Sequence, residues 1–502
     1  MKKFYVTTSI PYVNAKPHIG HALEFVQADA LARYWREVAS DTREVFFLTG
    51  SDENGSKNYK TAKEEGVTTE AFVARHRAAF QELLLLLNIT NSDFISTTDR
   101  IRHWPTTQKI WRLLAEKGSI YKANYTGYYC VGCEAYILEK ELVEGKCPIH
   151  RKAPEHLQEE NYFFRLSNYT QDILQRIEQG ELRIIPESRK KEIVNVLKEG
   201  LQDVSFSRPK DKLPWGVPVP DDPDHVMYVW CDALTNYLSG AGYTADKQRF
   251  LKFWPADVHV IGKDIVRFHA AIWPGMLLAA ELQLPKTILV HGFVHTKGEK
   301  MSKSLGNVVD PKEMAEKYGT DALRYYLLRE IPTTGDGDFT IGQFERRYEA
   351  DLANDLGNLF SRVVAMTERY VDGTVPHAQG DPKLDTRKSW VAYHQHIQEF
   401  SFDKALEVVW AHISLCNRYV DEQKPWEKGN AEQRGVILFS LLESLRHHAL
   451  MLRPFLPTTS AMMLERLGAS NITSQDWGKL PQGTNVTKGA ALFPRLSHQV
   501  HL

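Results

Sequence analysis

The chain has 502 residues, too many for one compact core, and its length alone suggests about three domains. Charged residues make up 25% and hydrophobic ones 43%, which is ordinary for a globular protein. The net charge of −1 excludes nucleic-acid binding through bulk charge, so any such contact must use local patches such as the RKK run at 189–191. No long apolar stretch follows the two N-terminal lysines, which argues against a secretory leader. The run LLLLL at 83–87 is far too short to cross a bilayer. A soluble cytoplasmic protein without membrane contact is expected.

The first predicted element, KFYVTTSI at 3–10, alternates and is rich in β-branched and aromatic residues, so it reads as a buried strand. From Leu23 through Val26, Ala30 and Tyr34 one apolar face recurs at helical spacing. His18 and His21 therefore stand where a strand ends and a helix begins. In an open α/β sheet ligands bind there, and the N–H groups of a helix start suit phosphate. EVFFLTG (44–50) is a second buried strand, ending in the polar turn SDENGS. Two amphipathic helices follow, at 68–89 and 103–118, the second closed by a glycine.

From about 120 to 227 the chain is irregular and rich in Cys, Gly, Pro and charge. It reads as an inserted domain. Strand-like segments return at VMYVWCDAL (226–234), DVHVIG (257–262) and TILVHGFV (287–294), resuming the opening pattern. After about 340 only long helical patterns remain. The expected organisation is a split Rossmann-type α/β nucleotide-binding domain (1–118 and 226–340) around an inserted zinc-knuckle domain (119–225). An α-helical-bundle domain (341–502) follows.

Three motifs carry chemistry. In HIGH (18–21), Gly20 lets the backbone approach a nucleotide closely, and the imidazoles of His18 and His21 can donate to developing phosphoryl charge. Alone, the same four residues also read as a helix cap with two surface histidines. In KMSKS (300–304), Lys300 and Lys303 lie in a polar loop and could neutralise a leaving pyrophosphate; an ordinary solvated loop is the alternative. Cys130, Cys133, Cys147 and His150 follow C-x2-C-x13-C-x2-H, a knuckle spacing that suits one tetrahedral Zn²⁺. With all four positions filled by protein, that zinc would be structural. Cys231 and Cys416 have no partners nearby in sequence and read as core residues.

HIGH and KMSKS together resemble the paired signatures of class I aminoacyl-tRNA synthetases. Within that class the chain is similar, nearly end to end, to the methionyl-tRNA synthetases. Supporting segments are YVWCDALTNY (228–237), GKDIVRFHAAIWP (262–274), the zinc segment, GNLFSR (357–362) and NRYVDEQKPW (417–426). The resemblance implies that methionine attacks the α-phosphate of ATP, pyrophosphate leaves, and the aminoacyl group passes to the terminal adenosine of tRNA(Met), initiator and elongator. Catalysis then rests on positioning and electrostatics, with no enzyme nucleophile.

The same resemblance implies the residues. His18, His21, Lys300 and Lys303 would be catalytic, with Gly20, Gly262 and Asp264 completing the ATP site and Mg²⁺ accompanying the nucleotide. Ile10, Tyr12, Asp52, Trp230, Ala233, Tyr237, Ile265, Phe268 and His269 would bind methionine, Asp52 taking the ammonium and His269 with Tyr237 lying near sulfur. Asn358, Arg362 and Trp426 would read the anticodon, by base-edge hydrogen bonds and by stacking. Three positions depart from a common form of the pattern: Leu234 for proline, Ile272 for phenylalanine and Asn54 for histidine.

Rival readings fit less well. Branched-chain synthetases normally carry a large editing insertion, and cysteine enzymes place zinc in the catalytic pocket. A relative that has lost aminoacylation would not need every motif intact. The chain closes soon after its last helix, so a monomer is expected.

Overall fold

The computed structural model describes residues 2–39, 43–131, 135–137, 139–148, 151–300, 308–427 and 430–496. Six parallel strands form the main sheet: β1 (Lys3–Thr8), β2 (Glu44–Ser51), β3 (Asp93–Ser96), β4 (Arg183–Ile185), β5 (Val258–Gly262) and β6 (Thr287–His291). Their order is β3-β2-β1-β5-β6-β4, every neighbouring pair parallel. The alternation expected of strands buried on both faces is visible in the side chains. Val6, Phe47, Val260 and Leu289 join one core cluster, and Tyr5, Phe46, Ile261 and Ile288 join the other. The chain leaves β1 for β2 on one side, while β5 pairs with β1 on the other. The crevice at the carboxyl ends of β1 and β5 is therefore the topological switch point, where such sheets bind ligands.

Two expectations are corrected here. Residues 119–225 are not one insert. An antiparallel sheet of Ile120–Cys130, Ala135–Ile137, Glu155–Phe164 and Val204–Ser205 stands apart, but β4 joins the main sheet as its edge, and Ile173, Ile177, Ile193 and Leu197 pack into the core beneath it. Three residues are too few for period-2 alternation to announce a strand. VMYVWCDAL is not one strand either. His225–Met227 pairs in a hairpin with Ser207–Pro209, and Val229–Ala233 is a short helix. A short apolar run buried all round carries neither period clearly.

Beyond residue 340 the regular elements among the described residues are helices, including Asn358–Tyr370, Phe402–Gln423 and Ala431–Leu452. The last of these is long and apolar enough to cross a membrane, but 94% of that window is buried inside the protein, so it serves as the core helix of this domain. One continuous apolar cluster runs from Phe4 and Val6 of β1 to Leu464 and Phe493. Arg324, fully buried, links the two regions: it bonds Asp29 Oδ2 at 2.7 Å and donates to the carbonyls of Leu87, Pro454 and Phe455.

Candidate active site

At the carboxyl end of β1 the chain turns into helix Ile19–Arg33. His18 is its N-cap, with extended backbone, and its Nδ1 accepts from the Gly20 N–H at 3.1 Å. The His18 N–H in turn donates to His21 Nδ1 at 3.1 Å, completing a capping box built from two imidazoles. The rings lie 3.9 Å apart. A side chain at position 20 would bring its Cβ to 2.9 Å from His18 Cε1, so glycine is what lets the ring fold over the helix start. Burial, then the neighbouring His18 and His291, hold the His21 pKa well below the ordinary histidine range, so its ring is neutral near pH 7. The HIGH motif is thus the cap of the helix that starts at the switch point.

Tyr12 and Asp52 stand side by side through a parallel bridge at the ends of β1 and β2, secured by Asp52 N–H to Pro11 O at 2.9 Å and Val13 N–H to Asp52 O at 3.1 Å. Asp52 is buried. Across from these ends lies an aromatic group on three short helices. Trp230 and Phe268 stack face to face, 3.7 Å between centroids and 8° between planes. The Tyr237 hydroxyl bonds His269 Nε2 at 2.7 Å, and His269 Nδ1 donates to Ile265 O at 3.0 Å, which fixes Nε2 as the acceptor. Burial pushes the His269 pKa down to about 4, so this ring is neutral, and burial raises that of Tyr237. Behind them Trp273 donates to His259 Nε2 at 3.3 Å, and the His259 ring lies 4.2 Å from that of Tyr237. Trp230 Nε1 is a buried donor with no partner among the described residues. Ile10 and Ile265 pack against the same core; Leu234 and Ile272 are buried apolar residues at the two divergent positions.

Gly262 ends β5, and a Cβ there would meet Asp264 Oδ1 at 2.9 Å. Asp264 itself is exposed. Sequence reading missed a buried pair beside it. Glu24, on the HIGH helix, accepts from Ser9 Oγ at 2.6 Å and from His291 Nε2 at 3.0 Å, while His291 Nδ1 bonds Gly292 O at 2.8 Å. Burial works against a charged His291, but the Glu24 bond and charge outweigh it and raise its pKa. The pair ties the ends of β1 and β6 to the helix between them. No sequence signal marks it, since Glu24 and His291 are far apart and each reads as a helix or strand residue.

The remaining predicted residues are scattered. Lys300 pairs through its backbone with His295 in a small hairpin; its side chain, Lys303, Cys133 and His150 lie outside the described residues. Cys130 and Cys147 are buried together with Ile137, and the partly buried Leu142 packs against them. Asn358 and Arg362 share a helix, Arg362 pairs with Asp421 at 2.8 Å, and Trp426 is 44% exposed beyond the end of helix Phe402–Gln423. Cys416 is a core residue as expected, but it has partners. His412, Cys416 and His448 are all buried, with ligand atoms within 4.8 Å of one another, close enough to hold a metal ion. His412 Nδ1 and His448 Nε2 are hydrogen-bonded at 2.7 Å.

Residues 4–156 and 138–364 match the family described as tRNA synthetases class I (M), and residues 376–500 match the anticodon binding domain of methionyl tRNA ligase. The methionine–tRNA ligase of Caldanaerobacter subterraneus subsp. tengcongensis is 44% identical, across 100% of this chain and 80% of that protein. That of Thermotoga maritima is 41% identical, across 98% and 80%. Among solved structures, Mycobacterium tuberculosis methionyl-tRNA synthetase bound by methionyl-adenylate superposes with a TM-score of 0.93 at 39% identity, covering 98% of this chain and 100% of that one. The free form of the same protein gives 0.87 at 37% identity, covering 99% of each. With both halves matched and relatives similar along the full chain, this protein belongs to the methionyl-tRNA synthetases, the class I ligases that charge tRNA with methionine.

Proposed function

We propose that the crevice at the ends of β1, β2 and β5 is where this chain activates methionine. The observation that carries the reading is the convergence of the buried Asp52 carboxylate, the stacked Trp230–Phe268 pair and the histidine-capped helix on the sheet's switch point. Asp52 takes the ammonium. Trp230, Ala233, Tyr237, Phe268 and His269, with Ile10, Tyr12 and Ile265, enclose the thioether, which needs an apolar, polarizable cavity. A neutral His269 with its acceptor already filled by Tyr237 presents no charge to the sulfur.

A methionine carboxylate oxygen attacks the α-phosphorus of ATP, the bond to the bridging oxygen breaks, and pyrophosphate leaves with that electron pair. His18 and His21 hold the phosphoryl oxygens by hydrogen bonds, and Gly20 admits them to the helix start. Gly262 and Asp264 meet the adenosine, Asp264 at the ribose hydroxyls. Lys300 and Lys303 hold the β- and γ-phosphates. Mg²⁺, bound with ATP, neutralises phosphate charge. A ribose hydroxyl of the terminal tRNA adenosine then attacks the aminoacyl carbonyl, and AMP leaves. Zn²⁺ on Cys130, Cys133, Cys147 and His150 would staple the small antiparallel sheet; the shared burial of Cys130 and Cys147 fits that role. Asn358 and Arg362 read the anticodon from one helix, with Trp426 stacking from just beyond the end of helix Phe402–Gln423.

The test is single-turnover formation of the adenylate. Gly20→Ala, which crowds the His18 ring, and Lys303→Ala each slow the step about 10²-fold or more, the scale of losing one transition-state donor, with methionine affinity unchanged. Variants that form adenylate at the wild-type rate would contradict the assignment.

A further inference from the structure

Asp232 sits on helix Val229–Ala233, between two residues of the methionine pocket, and its carboxylate is wholly buried. Each oxygen has a different partner. Oδ1 bonds His103 Nε2 at 2.5 Å, and Oδ2 accepts from Asn54 Nδ2 at 2.6 Å. His103 is held at its other nitrogen too: Nδ1 lies 3.0 Å from the hydroxyl of Ser239, which is itself 3.0 Å from Thr235 O. Thr235 Oγ1 closes the loop by donating to the Asp232 carbonyl at 2.7 Å.

Asn54 lies two residues after Asp52, in the same turn. That turn is held by Asn58 Nδ2 and Trp215 Nε1, donating to Glu53 O at 3.0 and 2.8 Å, and by Arg77 on the Glu53 carboxylate at 3.0 Å. The Asn54–Asp232 bond joins the turn to the pocket helix directly. Methionine must be held at both ends, its ammonium by the turn and its thioether by the helix. The gap between those elements is then set by a buried carboxylate with two short bonds, among the strongest small struts a protein can build.

We propose that Asp232, braced by His103 and Asn54, is a positioning residue that sets this gap and so governs methionine affinity without touching methionine. The inference rests on the reading of Asp52 as the ammonium ligand. It also accounts for the divergent Asn54. Histidine and asparagine both offer an N–H donor, so either can serve the Asp232 oxygen.

The test is ATP–pyrophosphate exchange with KM measured separately for methionine and ATP, alongside thermal unfolding. Asp232→Asn keeps the shape but can satisfy only one of the two donors. The expected result is a methionine KM raised about tenfold or more, the scale of one charge-assisted bond, with ATP KM unchanged and Tm within a few degrees. Asn54→Leu should reproduce that pattern, and Asn54→His should restore a methionine KM near wild type. Asp232→Asn with unchanged methionine KM, or with loss of activity that tracks Tm and leaves both KM values alone, would overturn the proposal. Asp52→Asn, run in parallel, separates the two readings. If it raises methionine KM and Asp232→Asn does not, the strut alone fails. If Asp52→Asn leaves methionine KM intact, the ammonium reading fails and the strut loses its purpose.

Discussion

Near the sheet's switch point, Trp230 holds a buried indole N–H with no partner among the described residues, and Asp52 is buried at the end of β2, bridged to Tyr12. In the helical domain the buried Glu443 is answered on all sides. It accepts from the backbone N–H groups of Gly478, Lys479 and Leu480 at 2.7, 2.9 and 3.0 Å and from Arg446 at 2.6 and 2.9 Å, and it lies 3.3 Å from His447. Both are buried carboxylates. Glu443 closes a network and holds the segment at 478–480 against the core helix. Asp52 is buried at the end of β2, with Thr97 Oγ1 3.5 Å from its Oδ1, at the switch point where the proposal puts methionine. On the proposed reading the difference separates a polar group kept for folding from one kept for binding, and substitution should separate them by readout.

The largest effect is expected at Asp52. On the proposed reading Asp52→Ala removes the partner of methionine's ammonium, a loss of about 3–5 kcal/mol for a buried ion pair, so methionine KM in pyrophosphate exchange should rise by 10² or more while Tm holds. Glu443→Gln should do the reverse, leaving methionine KM unchanged at temperatures where the enzyme is folded and lowering Tm. Burial alone would raise the Glu443 pKa, but its bonds to Arg446 and His447 bring it down to about 2. The folded pKa lies below the unfolded one, so the stabilisation is complete above about pH 4.5 and is lost as pH falls toward 2. Its size is about 3 kcal/mol. Acid titration of Tm should show this loss in the wild type and a flatter curve in Glu443→Gln.

Trp426→Ala should leave exchange untouched and lower tRNA charging by about 5–150-fold, the worth of one stacked base at 1–3 kcal/mol. The smallest effect concerns the Arg362–Asp421 pair. An exposed pair contributes at most about 1 kcal/mol, so Asp421→Asn, by releasing Arg362 for RNA, should tighten tRNA binding by no more than about fivefold in a filter-binding assay.

The parts of this molecule that could be read from sequence are those in which a local period and a local motif coincide. Strand 3–10 with HIGH at its end is such a place: β-alternation, a glycine between two histidines and a helical period follow one another within a few turns. β5 and β6 were legible as apolar strands for the same reason. The edge strand β4 was not, because three residues carry no period and its partner β6 lies about a hundred residues further on. The aromatic wall was reachable only by resemblance, since Trp230 and Phe268 meet through tertiary packing that no spacing encodes. Tertiary packing alone also joins Glu24 with His291 and His103 with Asp232, and it brings His448 of helix Ala431–Leu452 to Cys416; His412, four residues before Cys416 on its own helix, was visible as a helical spacing.

The most direct test of the central claim is ATP–pyrophosphate exchange without tRNA, with each of the twenty amino acids offered in turn to the metal-replete protein. Exchange that depends on methionine alone is the predicted result, and it would establish the adenylation chemistry and the pocket together. Exchange supported by a different amino acid, or none with methionine from folded protein, would contradict the account.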